Sequence, residues 1–128
     1  MNNINIGCGS KHLEGYINID MVQPADSVID LELAKLPYED NSVDNIMADN
    51  VLEHIHNLPA LMDECYRVLK SGGVMRVIVP LFPSPAAVAD PTHVRFFVPE
   101  TFDRFKFTPC NLRTYGERFQ FIEVDLTK

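Results

Sequence analysis

Cysteine is scarce, with three residues, Cys8, Cys65 and Cys110, spread over 128 positions. An odd number at such spacing builds no disulfide framework, so reduced thiols and a cytoplasmic setting are expected. Basic charge is also short, with 11 Lys and Arg against 18 Asp and Glu and a net charge of −7. A protein that grips phosphate backbones over a broad surface needs the opposite balance, which argues against a nucleic-acid partner. The longest apolar run, near Val77 to Phe82, is too short to span a bilayer, and Met1 is followed by polar Asn2 and Asn3 rather than a signal peptide. No membrane association is expected. Repeats and low-complexity linkers are missing, and the length suits one domain with a core of its own. No Cys-x-x-Cys or paired-His motif accompanies Cys8, His12, His54, His56 and His93, so no metal is expected. A nucleophilic role for cysteine is disfavoured, because no basic partner is evident.

What is present begins almost at once. In "INIGCGS", Ile4 to Ser10, a short apolar run leads directly into two glycines flanking a cysteine. Glycine serves where the backbone takes positive φ or where another group must come close, and a strand ending in such a turn can cradle a nucleotide-like ligand. A plain tight turn is the alternative. Further short β-branched runs follow: Tyr16 to Ile19 ending at Asp20, Val28 and Ile29 ending at Asp30, Asn45 to Ala48, and Val74 to Val79 stopped by Pro80. Such runs suit parallel strands buried on both faces.

One helix is clear from its period. Leu58, Leu61, Met62, Cys65, Tyr66 and Leu69 recur at spacings of three and four and so share a face. Asn57 can cap its start, Pro59 is tolerated in the first turn, and Gly72 or Gly73 can end it in a left-handed turn. Strand, helix and strand then form a crossover unit of an open α/β sheet. Ligands of such sheets bind at the carboxyl ends of the strands, where Gly7 to Ser10, Asp20, Asp30 and Asp49 to Asn50 all fall.

At this point the sequence resembles the class I S-adenosylmethionine-dependent methyltransferases, and among them the short "methyltransferase domain 11" type. "INIGCGS" is similar to their glycine-rich first motif, "GYINID" to the second strand with its acidic end, and "VIDLELAKLPYEDNSVDNIMADNVLEHI" to the third motif through the fourth strand. "ECYRVLKSGGVMRVIVP" is similar to their helix, glycine turn and fifth strand, and "DPTHVRFFVPETFDRF" resembles a segment that follows in some relatives. The resemblance implies a Rossmann-like open sheet, mostly parallel, with helices on both faces and an antiparallel C-terminal strand. It implies a single domain over residues 1–128, with the N-terminal helix absent and the C-terminal hairpin shortened.

The resemblance also assigns roles. Gly7, Cys8 and Gly9 would admit the methionine part of S-adenosylmethionine, and Asp20 would accept both ribose hydroxyls, as a carboxylate's two oxygens can. Met21 would pack on adenine, Asp30 and Leu31 would meet the adenine edge, and Asn50 would join them at the end of the fourth strand. Met21 and Leu31 suit the core equally well. Two departures stand out. Asn5 takes a place that is acidic in many relatives, and an amide there can orient the loop by hydrogen bonds without bringing negative charge. The stretch from Gly9 to Asp20 is too short, and too interrupted by Gly15, for a full helix.

Catalysis by methyl transfer rests first on holding the nucleophile in line, and a base matters when the acceptor is a hydroxyl or a protonated amine. His54 in "LEHI" and His93 in "DPTH" are the candidate bases, each with a structural alternative as a loop hydrogen bonder, and Asp90 and Arg95 flank His93. Phe96, Phe97, Phe102, Phe105 and Phe107 form a cluster suited to the core or to a cover over the substrate. Phe119, Phe121, Val124 and Leu126 alternate with polar residues and point to one final strand, bulged at Ile122, whose free edge a second copy would cover as a homodimer. The implied activity is methyl transfer to a small molecule, a sugar or another hydroxylated metabolite. Two other classes stay open. One is a catalytically silent S-adenosylmethionine-binding partner or regulatory domain. The other is a nicotinamide-dependent oxidoreductase, against which stands the missing third glycine of Gly-x-Gly-x-x-Gly.

Overall fold

The computed structural model describes residues 2–128. The short β-branched runs form parallel strands β1 (Asn3–Ile6), β2 (Ile17–Asp20), β3 (Ser27–Val28) and β4 (Val43–Asp49). Helix α1 (Leu58–Val68) then leads into β5 (Leu69–Pro80), a short α2 (Pro85–Val88), and the strands β6 (Thr108–Tyr115) and β7 (Phe121–Thr127). All seven strands join one sheet in the order β3-β2-β1-β4-β5-β7-β6, and β7 runs antiparallel to both its neighbours. The mostly parallel open sheet expected from the sequence is therefore present. No helix among the described residues is long and apolar enough to cross a membrane.

Pleating sends alternate side chains to opposite faces, and the two faces differ in character. One face carries Ile4, Ile6, Ile46, Ala48, Val77 and Val79 into a single core with Leu58, Leu61, Met62, Cys65 and Val68 of α1. Helix α1 packs against that face. The opposite face presents polar residues instead, among them Asn3, Asn5, Asn45 and Arg76. They pair across strands, Asn45 donating to Asn3 at 3.0 Å and Arg76 to Asp125 at 2.8 Å.

Between β1 and β2 there is no helix, as the spacing required, and hydrogen bonds hold the loop in its place. Asn5, 3% exposed, donates through Nδ2 to the Lys11 carbonyl at 2.8 Å and to Asn18 Oδ1 at 2.9 Å. The amide at this position thus orients the loop as expected.

Three local expectations are corrected by long-range pairing. Asn57 sits at the start of α1 but makes no side-chain cap; its Nδ2 donates to the Glu32 carbonyl. The helix stops at Val68 rather than near Gly72, because Leu69 turns extended and pairs with Val43, with residues 70–73 forming a bulge within β5 before Val74 pairs with Asn45. The C-terminal region holds two strands where one was expected. In β7 the inward residues are Ile122, Val124 and Leu126, while Phe119 lies outside the strand and is 63% exposed. The irregularity falls in β6, between Cys110 and Arg113. With β6 beside it, β7 has no free edge for a second copy. Of the phenylalanine cluster, Phe97, Phe102 and Phe107 belong to the core, while Phe96 is half exposed and stacks on Phe82 at 5.3 Å between ring centroids.

Candidate functional site

The carboxyl ends of β1, β2 and β4 converge on a cavity of about 310 Å³. Gly7, Asp20, Met21, Asp30, Leu31, Asn50 and His54 line it, together with Ile29, Glu32, Val51 and Ile55. Six of the eight residues expected to bind a cofactor thus share one cavity, although they come from three separate strand ends and a short turn. Cys8 and Gly9 lie just outside. Cys8 faces a smaller hollow of about 20 Å³ with Asn5, Gly7, Lys11 and Asp49, and Lys11 pairs with Asp49 at 3.3 Å across that side.

Gly7 explains the turn. Its φ is +62°, and a Cβ built on it would meet Val51 Cγ2 at 2.4 Å. Only glycine lets β1 end there with Val51 packed over it. The loop then folds back, with Cys8 N–H donating to the Ile19 carbonyl at 2.9 Å and Gly9 N–H donating to Asp20 Oδ2 at 2.7 Å. Asp20 Oδ1 accepts the Met21 N–H at 2.6 Å. Each carboxylate oxygen offers about two acceptor positions, so both oxygens of Asp20 keep capacity toward the cavity. Burial pushes the Cys8 thiol up, and Asp20 and Asp26 push it further, which opposes a nucleophilic role.

A third contribution comes from the turn at Leu31–Leu33, capped by Asp30, whose Oδ1 accepts the Glu32 N–H at 3.0 Å. Leu31 is buried and serves the core and the cavity wall together. Glu32 ties this turn to the start of α1, its two oxygens accepting the His56 N–H at 2.7 Å and the Asn57 N–H at 3.0 Å. The Asn57 N–H, at the N-cap, is among the helix donors without intrahelical partners. Burial alone would raise the Glu32 carboxyl, but the N–H donors outweigh it and hold the group below its ordinary value. Nothing in the sequence pattern marks this role, because the donors lie 24 and 25 positions away.

At the far side of the cavity His54 and His93 stand together, with ring centroids 4.8 Å apart and nearly perpendicular planes. The two candidate bases are not equivalent. His54 is exposed and lines the cavity, whereas the His93 side chain is only 6% exposed and lies off its lining. Asp90 accepts both the N–H and the hydroxyl of Thr92, at 2.8 and 2.7 Å, and these bonds hold its carboxyl below its usual range. Arg95 donates to the carbonyls of Ile55 and His56. Arg95 therefore shapes the loop and does not reach toward an acceptor.

Glu53 escaped the sequence pattern. It is 2% exposed, and its Oε1 has no hydrogen-bond partner. Burial drives its carboxyl above the ordinary range and Asp49 adds to the rise, with the two histidines opposing. Its one sequence signal is adjacency to His54, and a glutamate beside a loop histidine reads as solvated until the fold buries it.

Comparison with known proteins follows the same outline. A sequence model described as the methyltransferase domain matches residues 4–77, more than half of the chain. A protein of Mycolicibacterium smegmatis named "Probable S-adenosylmethionine-dependent methyltransferase/" is 44% identical over 48 residues, a match covering 38% of this chain and 19% of that one. The chain thus spans about a fifth of the curated relative it matches. A SAM-dependent methyltransferase from Archaeoglobus fulgidus superposes with a TM-score of 0.79 at 17% identity, covering 99% of this chain and 86% of that one. The 1,6-didemethyltoxoflavin-N1-methyltransferase of Burkholderia thailandensis, solved with bound 1,6-didemethyltoxoflavin and S-adenosylhomocysteine, has a TM-score of 0.77 at 14% identity, covering 98% of this chain and 70% of that one. At these identities the solved structures show a shared fold.

Proposed function

The chain belongs to the methyltransferase domain family, and from that premise we propose that its cavity binds S-adenosylmethionine and that the protein methylates a small hydroxylated molecule such as a sugar. The observation that carries this is the meeting of the Gly7 turn and Asp20 in one cavity of about 310 Å³, a size within the usual range for small-ligand sites. When bound, the sulfonium supplies an activated methyl group that leaves a neutral thioether behind. The residues present fit the ligand. Asp20 offers two oxygens to the ribose diol, while Met21, Asp30 and Leu31 offer an apolar surface and polar edge for the base. The turn that begins at Gly7 would admit the amino-acid part, and Asn50 lines the cavity just after β4.

His54, exposed on the cavity wall, is where an acceptor approaches, with the His93 ring packed behind it. Holding the acceptor against the methyl group supplies much of the rate without a base. The three free cysteines, two of them buried, fit a reducing compartment such as the cytoplasm.

Calorimetry and thermal shift with S-adenosylhomocysteine test the proposal, with NAD as the control. Binding of S-adenosylhomocysteine with a raised melting temperature is expected, and stabilisation by NAD alone would return the site to the oxidoreductase class. Release of S-adenosylhomocysteine in a metabolite screen would then separate the enzyme from a catalytically silent binder.

A further inference from the structure

Glu53, His54 and His93 each place one donor atom so that all three lie within 4.8 Å of one another. The hydrogen bonds around them decide which atoms are free. His93 Nδ1 faces the Ala87 carbonyl at 2.8 Å, and a carbonyl only accepts, so Nδ1 carries the hydrogen. Thr92 Oγ1 spends its one hydrogen on Asp90 at 2.7 Å and lies 3.2 Å from His54 Nδ1. That hydroxyl can therefore only accept from His54, whose Nδ1 also carries a hydrogen. Both Nδ1 atoms are committed as donors to oxygen, the arrangement that orients metal-binding imidazoles and leaves Nε2 as the ligating atom. Beside them, Glu53 is 2% exposed with an unpartnered Oε1. An acceptor oxygen buried with nothing to accept is costly unless a positive charge sits against it. Asp90 Oδ2 stands a further 3.5 Å from His93 Nε2 and adds negative charge beside the cluster.

We propose that Glu53, His54 and His93 bind a divalent first-row transition cation beside the cavity that His54 lines. Two imidazoles and one carboxylate leave coordination positions open, and they select such a cation over magnesium or calcium, which prefer oxygen alone. Donors around an octahedral ion at about 2.1 Å stand roughly 3 Å apart in cis and 4.2 Å in trans, so small side-chain rotations close the site. His54 also lines the cavity, so a position left open on the His54 side is the one an incoming acceptor can reach. An acceptor with neighbouring oxygens, two hydroxyls or a hydroxyl and a carboxylate, is the class that fits. Only this choice of acceptor rests on the function proposed above.

The full chain, stripped with EDTA and dialysed, is titrated with Co²⁺ and followed by calorimetry and by the visible bands of the bound ion. One equivalent of Co²⁺ is expected, with a raised melting temperature and no comparable response to Mg²⁺. Glu53→Gln, His54→Ala and His93→Ala should each weaken binding by at least about tenfold, whereas His12→Ala, in the loop after β1, should not. Metal-free Glu53→Gln should melt no lower than the parent, since the buried Oε1 has no hydrogen bond to lose. Should that variant fail to fold, His54→Ala, at an exposed position, decides alone. Absence of Co²⁺ binding, or binding unchanged in His54→Ala, would overturn the proposal. S-adenosylhomocysteine binding is measured beside it. Nucleoside bound without Co²⁺ sinks the cation site and leaves the function standing, and Co²⁺ bound without nucleoside does the reverse.

Discussion

Gly7→Ala is expected to be among the most damaging single-methyl additions to this chain, and the cost can be worked from two terms. The backbone at Gly7 has φ +62°, a left-handed conformation that costs an ordinary residue roughly 1–2 kcal/mol. The new Cβ would also stand 2.4 Å from Val51 Cγ2 and 2.7 Å from Cγ1, far inside contact distance. Val51 is 6% exposed and belongs to the core, so its movement disturbs packed neighbours. Overpacking of that kind costs about 1–3 kcal/mol. Together the terms give about 2–5 kcal/mol, a fall in melting temperature on the order of 10 °C or more for a domain of this size. The two terms separate in a double-mutant cycle. Val51→Ala removes both clashing methyls, so adding Gly7→Ala in that background should cost only the backbone term. Urea denaturation of the parent, both single variants and the double variant should show a coupling of about 1–3 kcal/mol. If Gly7→Ala costs the same with Val51 present or truncated, the contact does not explain the glycine. A cost below about 1 kcal/mol in the parent would refute the backbone argument as well.

Asp20→Ala should weaken S-adenosylhomocysteine binding by about 2 kcal/mol, roughly thirtyfold, through loss of charge-assisted hydrogen bonds to the ribose, and unchanged calorimetric affinity would remove this acid from the site. Asp125 governs a pH effect: hydrogen bonding from Arg76, with help from Asn111, holds its carboxyl below the ordinary range. Its stabilisation is then fully present above the unfolded value near 3.9 and is lost as pH falls through the lower folded value. The stability gap between parent and Asp125→Asn should accordingly be constant from about pH 6 to 5 and shrink below about pH 4 in urea titrations, and a gap that widens on acidification contradicts the pairing. Self-association, if it occurs, is expected through the exposed Phe82–Phe96 stack rather than β7, so Phe96→Ser should convert a dimer to a monomer in light scattering. A dimer that survives places the contact elsewhere.

Much of the molecule was legible in short stretches, because the information there is local. The run into Gly7 and Gly9, the acids closing β2 and β3, and the three-and-four spacing of Leu58, Leu61, Met62 and Cys65 each depend on residues within a few positions of one another. Periodicity and turn chemistry express such features directly. That is why the strand ends and the glycine turn could be located before the sheet order was known, while the roles of the cofactor candidates came from the family resemblance those stretches carry. Other features arise from contacts between distant positions. Gly7 needs to be glycine because Val51, at the end of β4, packs over it. The helix α1 stops at Val68 because Val43 claims Leu69 for the sheet. In β7 the alternation was open to a one-residue error, and pairing with β5 settled it by turning Ile122, Val124 and Leu126 inward. The cluster of Glu53, His54 and His93 depends most on the fold, since burial removes water from Glu53 and a chain crossing some forty residues later brings His93 against it. Burial and long-range proximity are properties of the closed sheet, and no local window of sequence contains them.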